Sequence, residues 1–436
     1  MSHNNLKNLQ KAKSFSLPQL VKDHPVVPYL FKWTLISLII GSCIGTASAG
    51  FLISLDLVTG FREQHIWIIA LLPVGGLLTG LLYHYCGKDV EAGNNQLIDT
   101  IHNPQKARIS FKMAPFVYIG TIITHLLGGS AGREGTALQM AGSIADQFTK
   151  PLRLSASERS VLIIAAVAGG FGSVFGTPLA GALFSLEFFL IGRIRYHALF
   201  PAVITAVIAD AFTKYLGAHH TTYAINVVPD ISLPNILYAV AAGVAFGCCA
   251  AAFSKIIRKT GKVFRQAIPF APLRPFAGGI LVALAVFAMG TTKYIGLGIP
   301  VISDAFHQPL PYWDFALKMA FTIVTLAAGF KGGEVTPLFF IGAALGNALG
   351  YFIPLPVGLL AGIGFVAVFA GATNTPVACT LMAMELFGSE CALYAGIACV
   401  VSYLVSGHNS IYGQQVVGEP KNSWFSHHMG KQINDL

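Results

Sequence analysis

The sequence predicts an all-α polytopic membrane protein made of two inverted-topology helical repeats, with broken or re-entrant helices. Three observations carry that expectation. Hydrophobic residues make up 54% of the 436 residues and charged residues only 11%, against roughly 25% charged in ordinary soluble domains. Pro and Gly interrupt the apolar runs, as at Pro73-Val74-Gly75-Gly76 and Pro354-Leu355-Pro356. Two sequence blocks also recur, in the same order, about 200 residues apart.

The composition excludes broad classes first. A soluble surface needs roughly a quarter to a third charged residues, which 28 Lys+Arg and 19 Asp+Glu cannot supply. Soluble enzymes and DNA-binding domains are set aside. The net charge of +9 reads as basic cytoplasmic loops, and no nucleic-acid partner is expected. The seven cysteines show no CxxC or His/Cys spacing. They read as small buried hydrophobes, so no metal and no cofactor is expected.

The chain is then read in order. Residues 1–30 carry Lys7, Lys11, Lys13 and Lys22 against Asp23 alone. They form a basic cytoplasmic segment, and no cleavable signal is evident, because the first apolar stretch begins only near Trp33. Charge-free runs cover 33–55, 64–87, 113–132, 160–186, 231–254, 275–292, 335–384 and 391–418. A crossing helix needs roughly 20 apolar residues, so 335–384 holds at least two. Breaks inside such runs are tolerated only where protein buries the backbone or it lines a cavity.

Segment 255–274 holds Lys255, Arg258, Lys259, Lys262, Arg265 and Arg274 with no acid, whereas 217–234 and 299–317 hold no Lys or Arg. The positive-inside rule places the first segment in the cytoplasm and the other two outside. The division expected is a first transmembrane repeat at 31–216, an extracellular linker at 217–230 and a second repeat at 231–418. A short tail follows at 419–436, with no appended soluble domain and both termini cytoplasmic.

The repeat is legible residue by residue. Gly132-Arg133-Glu134-Gly135-Thr136 matches Gly332-Gly333-Glu334-Val335-Thr336, with Leu138 and Gly142 matching Leu338 and Gly342. Thr177-Pro178-Leu179-Ala180 matches Thr375-Pro376-Val377-Ala378, and Leu183, Glu187 and Phe189 match Leu381, Glu385 and Phe387. The first half begins inside and the second outside. This predicts a pseudo-two-fold axis in the membrane plane and a site at the midplane between the halves.

Gly128 to Thr136 is a Gly-rich link between apolar spans. A helix is expected to start near Gly135 or Thr136, with free N–H groups that suit an anion. Glu134 stands where that anion would stand. Its carboxylate can compete for the site when ionised and release it when protonated. The plain alternative is an N-terminal acid that satisfies its own helix, although an intramembrane Glu is functional by default.

Glu334 is the second candidate proton group, with Val335 and Thr336 at an opposing helix start and Pro337 in its first turn. A buried structural acid is the alternative. In Gly93-Asn94-Asn95 the two amides can replace part of an anion's hydration shell; Gly-Asn-Asn is also a common turn. Glu187 and Glu385 read as structural ties and His125 as a core histidine. The hydroxyl of Tyr412 is either an anion donor or a membrane-interface group.

Gly132-Arg133-Glu134-Gly135, together with the inverted repeat over about 31–418, resembles the CLC chloride channel and transporter family and its G-[KR]-E-G-P signature. The resemblance implies a homodimer with one pathway per subunit, Glu134 as the external gating glutamate and Tyr412 as the pore tyrosine. There are departures. Asn94 stands at the pore serine, Thr136 replaces the usual Pro and Val335 the usual Phe. Phe188 falls at the internal proton-transfer glutamate of chloride exchangers.

These changes together resemble the bacterial fluoride/proton antiporter branch. They imply a secondary transporter in the bacterial inner membrane that exports fluoride in exchange for protons. Asn94, Asn95, Gly135, Thr136, Val335, Thr336 and Tyr412 are its candidate anion contacts, and Glu134 and Glu334 its proton-coupling groups. A chloride or other halide channel or exchanger is the alternative within the fold. A membrane-embedded metalloenzyme would need a motif such as HExxH, and a nucleotide-driven pump a P-loop; neither is found.

Overall fold

The computed structural model describes residues 26–436. Most of the basic segment expected at 1–30 therefore lies outside the described residues. Sixteen α-helices follow one another, and the second eight repeat the first eight in order. The first set is α1 (Val26–Gln64), α2 (Leu72–Cys86), α3 (Asn94–His102), α4 (Met113–Leu126), α5 (Glu134–Asp146), α6 (Ala156–Phe175), α7 (Pro178–Glu187) and α8 (Leu199–Tyr215). The second is α9 (Leu233–Ala267), α10 (Leu273–Met289), α11 (Ile299–Ala305), α12 (Asp314–Ala327), α13 (Val335–Leu349), α14 (Val357–Thr373), α15 (Pro376–Phe387) and α16 (Ala392–Val405).

The packing repeats as well. Helix α1 lies on α8 as α9 lies on α16, α5 on α6 as α13 on α14, and α6 on α8 as α14 on α16. Equivalent elements of the two halves also meet, α2 with α10, α7 with α15 and, more lightly, α5 with α13. That is what a pseudo-two-fold axis requires. A short parallel pairing of β1 (Leu190–Ile191) with β2 (Val416–Val417) ties the tail to the end of α7.

Several sequence expectations are corrected. The first span is longer than 33–55, because α1 runs for 39 residues. The run 335–384 holds α13, α14 and most of α15. The break expected at Pro73-Val74-Gly75-Gly76 falls earlier, since Pro73 sits in the first turn of α2. Those glycines serve packing instead: a Cβ on Gly76 would lie 2.6 Å from the Pro275 carbonyl oxygen of α10.

Helices α8 and α12 are missing from the charge-free runs because each carries an acid and a lysine that find partners in the structure. Lys214 pairs with Asp210 one turn away at 2.7 Å. The fully buried Lys318 donates to the carbonyls of Tyr294 at 3.2 Å and Gly296 at 2.7 Å. Asp314, also fully buried, takes the Tyr294 hydroxyl at 2.7 Å and pairs with Lys293.

Five helical stretches among the described residues are long and apolar enough to cross a membrane. Others are too short. At a rise of about 1.5 Å per residue, the 13 residues of α5 reach about 20 Å, less than the roughly 30 Å of hydrocarbon. Such helices end inside the protein, where their first N–H groups need partners.

Two acids supply partners across the halves. Glu385 at the end of α15 accepts from the backbone N–H of Leu179 at 3.0 Å and Ala180 at 2.7 Å at the start of α7. Glu187 at the end of α7 accepts from Val377 at 3.3 Å and Ala378 at 3.0 Å at the start of α15. The exchange is reciprocal and explains why the repeat retains both acids as ties. Replacing Glu187 with Ala should cost about 1–3 kcal/mol, visible as a lower melting temperature of the purified protein. Glu385→Ala should cost less, because that side chain is more exposed. Unchanged melting in both would remove the ties from the account.

Candidate functional site

The loops before α5 and α13 meet across the pseudo-two-fold. Gly132 N–H donates to the Gly333 carbonyl at 2.6 Å and Gly333 N–H returns a bond to Gly132 at 2.8 Å, an antiparallel bridge. The backbones approach so closely that a Cβ on Gly333 would lie 2.7 Å from the Gly135 nitrogen. Both helix starts thus point into one buried region.

Helix α5 begins at Glu134, a residue earlier than expected. Its side chain is fully buried and reaches across to the other repeat. One carboxylate oxygen accepts from the Thr336 N–H at 3.1 Å and the Arg133 N–H at 3.0 Å. The other accepts from the Thr336 hydroxyl, with Arg133 Nε at 3.7 Å. The carboxylate therefore occupies the positive end of α13, a helix of the other repeat. A carboxylate seated on backbone N–H groups at a helix start is held as a bound anion is held.

The other candidates separate. Thr136 is spent locally, its hydroxyl 2.6 Å from that of Thr121 on α4. Gly135 lets Asn94 come close, since a Cβ there would lie 3.0 Å from the Asn94 amide nitrogen. Asn94 opens α3 after Gly93, whose φ is +57°, and its buried side-chain oxygen has no partner. Asn95 accepts from the Gln414 N–H at 3.2 Å, so it also anchors the chain beyond Tyr412. The Tyr412 hydroxyl is buried without a partner, and its ring meets Phe188 edge-on with centroids 5.8 Å apart. Val335 is wholly buried at the first position of α13.

Glu334 does not touch Glu134. It is the N-cap residue of α13, half-buried, and lines two spaces. An inner cavity of about 170 Å³ holds Asn94, Asn95, Glu334 and Tyr412. A cleft of about 950 Å³ runs from Asn95 and Glu334 to the basic residues of α9. A small void of about 20 Å³ lies against Arg133, Tyr223 and Thr336. Two equivalent acids in the sequence thus have different settings, one sealed between helix starts and one open to a wide cleft.

His125 is fully buried, its Nε2 3.4 Å from the Gly132 carbonyl oxygen and its own carbonyl bonded by Arg62 at 2.7 Å. Sequence reasoning overlooked Arg133, Arg62, Lys318 and Lys331 around the site. Arg133 and Lys331 adjoin the two acid motifs, and that adjacency was the available signal. Lys331 places its ammonium 3.8 Å from the Tyr83 ring centroid and lines the inner cavity.

Two halves that present facing helix starts, an acid on each and a cleft leading in from one side, define a membrane protein of the ion-pathway class. The family model described as voltage gated chloride channel matches residues 75–407, and the chain belongs to that family, the CLC family of channels and transporters. A chloride/fluoride channel protein of Pseudomonas syringae pv. tomato is 53% identical over 403 residues, covering 91% of this chain and 89% of that one. A crystal structure of a CLC-type fluoride/proton antiporter superposes with a TM-score of 0.86 at 34% identity, over 88% of this chain and 98% of that chain. A slow cyanobacterial chloride/proton antiporter shares the fold, with a TM-score of 0.75 at 18% identity over 86% and 94% of the two chains.

The bridge between the helix starts predicts that Gly333→Ala overpacks the site. A loss of about 1–3 kcal/mol is expected, read as a fall in melting temperature. Wild-type melting would show that the two loops can part without cost.

Proposed function

We propose that this protein is a secondary transporter that exports fluoride in exchange for protons, and not an enzyme. It needs no cofactor and works as a homodimer in the bacterial inner membrane, with the α9 cleft and both termini on the cytoplasmic side. Exposed apolar side chains such as Leu57, Trp67, Leu237 and Leu284 suit contact with the lipid bilayer. The halves 31–216 and 231–418, joined by 217–230, form the two walls of the pathway, and 419–436 closes the chain as a tail.

One observation carries the reading. The Glu134 carboxylate sits on the Thr336 N–H and hydroxyl at the start of α13. When ionised it fills the seat of an anion. When protonated it loses its claim on the positive helix end, and a small anion can take its place. One residue thereby exchanges a proton for an anion, and an inward proton gradient can drive fluoride out.

The donors present suit a small, strongly hydrated ion. The Thr336 N–H and hydroxyl, the unpartnered Tyr412 hydroxyl and the Asn94 and Asn95 amides can stand in for water. Glu334, half-buried between the inner cavity and the cleft, is the group that passes the proton inward, since Phe188 offers none. Gly135 admits Asn94, Thr136 is fixed by Thr121, and Val335 narrows the α13 start. The names of two relatives, one for chloride and fluoride and one for fluoride and protons, support the same reading.

The test is paired fluoride and proton flux from proteoliposomes, with chloride as competitor. Coupled proton uptake with fluoride release is expected; halide flux without proton movement would favour a channel of the same fold. Glu134→Gln should abolish proton movement and either block or uncouple the anion. Glu334→Gln should impair coupled flux by tenfold or more, roughly the cost of one strong proton-transfer contact, with the protein still dimeric by size exclusion. Full coupled flux in either variant would overturn its assigned role. Asn94→Ser should lower the fluoride-over-chloride rate ratio; an unchanged ratio in folded protein would move discrimination to Val335 and Thr336.

A further inference from the structure

The second half of α9 carries Lys255, Arg258, Lys259, Lys262 and Arg265 at helical spacings of three and four residues. All five line the 950 Å³ cleft that ends at Asn95 and Glu334. Helix α9 holds no acid. The exposed apolar Ile256 and Val263 occupy a separate stripe of the same helix. Among the described residues none of the five is paired with a carboxylate within 4 Å. Arg258 alone is tied to other groups of the protein, donating to the Ser254 carbonyl at 3.2 Å and the Asn409 side chain at 3.3 Å.

A row of unpaired cations on a helix end normally answers loop charge or the helix dipole. Two features go beyond that. The cations face a concave space, and that space shares Asn95 and Glu334 of its lining with the inner cavity. Low-dielectric walls focus the field of charges lining a cleft and raise the local concentration of counter-ions. Glu91 and Glu334 share the cleft and offset only part of five positive charges. Lys331 is the next cation inward.

We infer that this face of α9 is an electrostatic funnel that gathers small inorganic anions from the cytoplasm and sets their capture rate at the inner mouth. It rests on the transport reading above and adds a site that acts before the anion reaches Tyr412. A funnel acts on encounter, so it changes the apparent KM and its salt dependence. It leaves the maximal rate and the proton-to-fluoride ratio alone, because the five side chains lie outside the seat of Glu134.

The test uses inverted membrane vesicles from cells making the full chain, with the cytoplasmic face outward. All five residues are changed to Gln. For the wild type, the apparent KM for external fluoride should rise about tenfold between roughly 10 mM and 150 mM ionic strength, as screening shortens from about 30 Å to 8 Å. The variant should show the high value at both, with its maximal rate retained. If it does not fold, the pair Lys259→Gln and Lys262→Gln should give an intermediate shift. A wild-type KM indifferent to salt overturns the inference.

A second measurement is independent of transport. Asn434 also lines the cleft. With the exposed Cys86 and Cys248 changed to Ser, Asn434→Cys should react about tenfold faster with an anionic than with a cationic methanethiosulfonate at low salt. The preference should vanish when the five residues are Gln. Equal rates in the wild-type cleft overturn the funnel even if fluoride moves. A clear preference without any fluoride flux overturns the transport reading and leaves the funnel standing. If anionic lipid added to phosphatidylcholine vesicles abolishes the preference, the patch holds lipid headgroups and the inference falls.

Discussion

The whole arrangement depends on one constraint: a helix that stops inside a membrane protein exposes backbone N–H groups that no water can satisfy. This chain meets it by lending groups from one half to the other. Glu385 caps α7, Glu187 caps α15 and Glu134 caps α13. The loops that lead into α5 and α13 pair with each other at Gly132 and Gly333. Neither half could be stable with its short helices alone, because each holds the other's missing partners.

Three of these contacts look alike but differ in consequence. The Glu187 and Glu385 ties are reciprocal, so nothing is left over. The Glu134 contact has no mirror image. Glu334 stands in the equivalent place, yet it lines the cleft and does not bond the start of α5. Broken symmetry leaves one helix start filled by the Glu134 carboxylate and the other facing Asn94. A perfectly symmetric pair would close both ends and leave nowhere for an ion to wait.

The same logic explains the buried charges. Lys318 and Asp314 survive inside because carbonyls, a tyrosine hydroxyl and Lys293 satisfy them; a lone buried charge would cost several kcal/mol. The cations of α9, by contrast, are left open to a wide cleft. Buried charge is satisfied where the protein is packed, the charge of α9 is left without acid partners along the cleft, and its sign suits an anion.

Much of this was legible in the sequence. Low charge content, Gly and Pro breaks, and the match of Gly132–Thr136 with Gly332–Thr336 determine a repeated, inverted helical membrane protein, because hydrophobic length and loop charge act locally and can be read without contacts. The ties by Glu187 and Glu385 were legible from their equivalence alone. Helix α12 was hidden, since its two buried charges are tolerable only through partners distant in sequence, and α8 because a charged pair one turn apart interrupts its apolar run. The different settings of Glu134 and Glu334 were decided by tertiary structure. Their local motifs are nearly the same, and which helix start an acid can reach depends on how two loops cross. That crossing, held by the Gly132–Gly333 bridge, brings Thr336 to Glu134 across 202 positions of chain and turns Glu334 toward the open cleft.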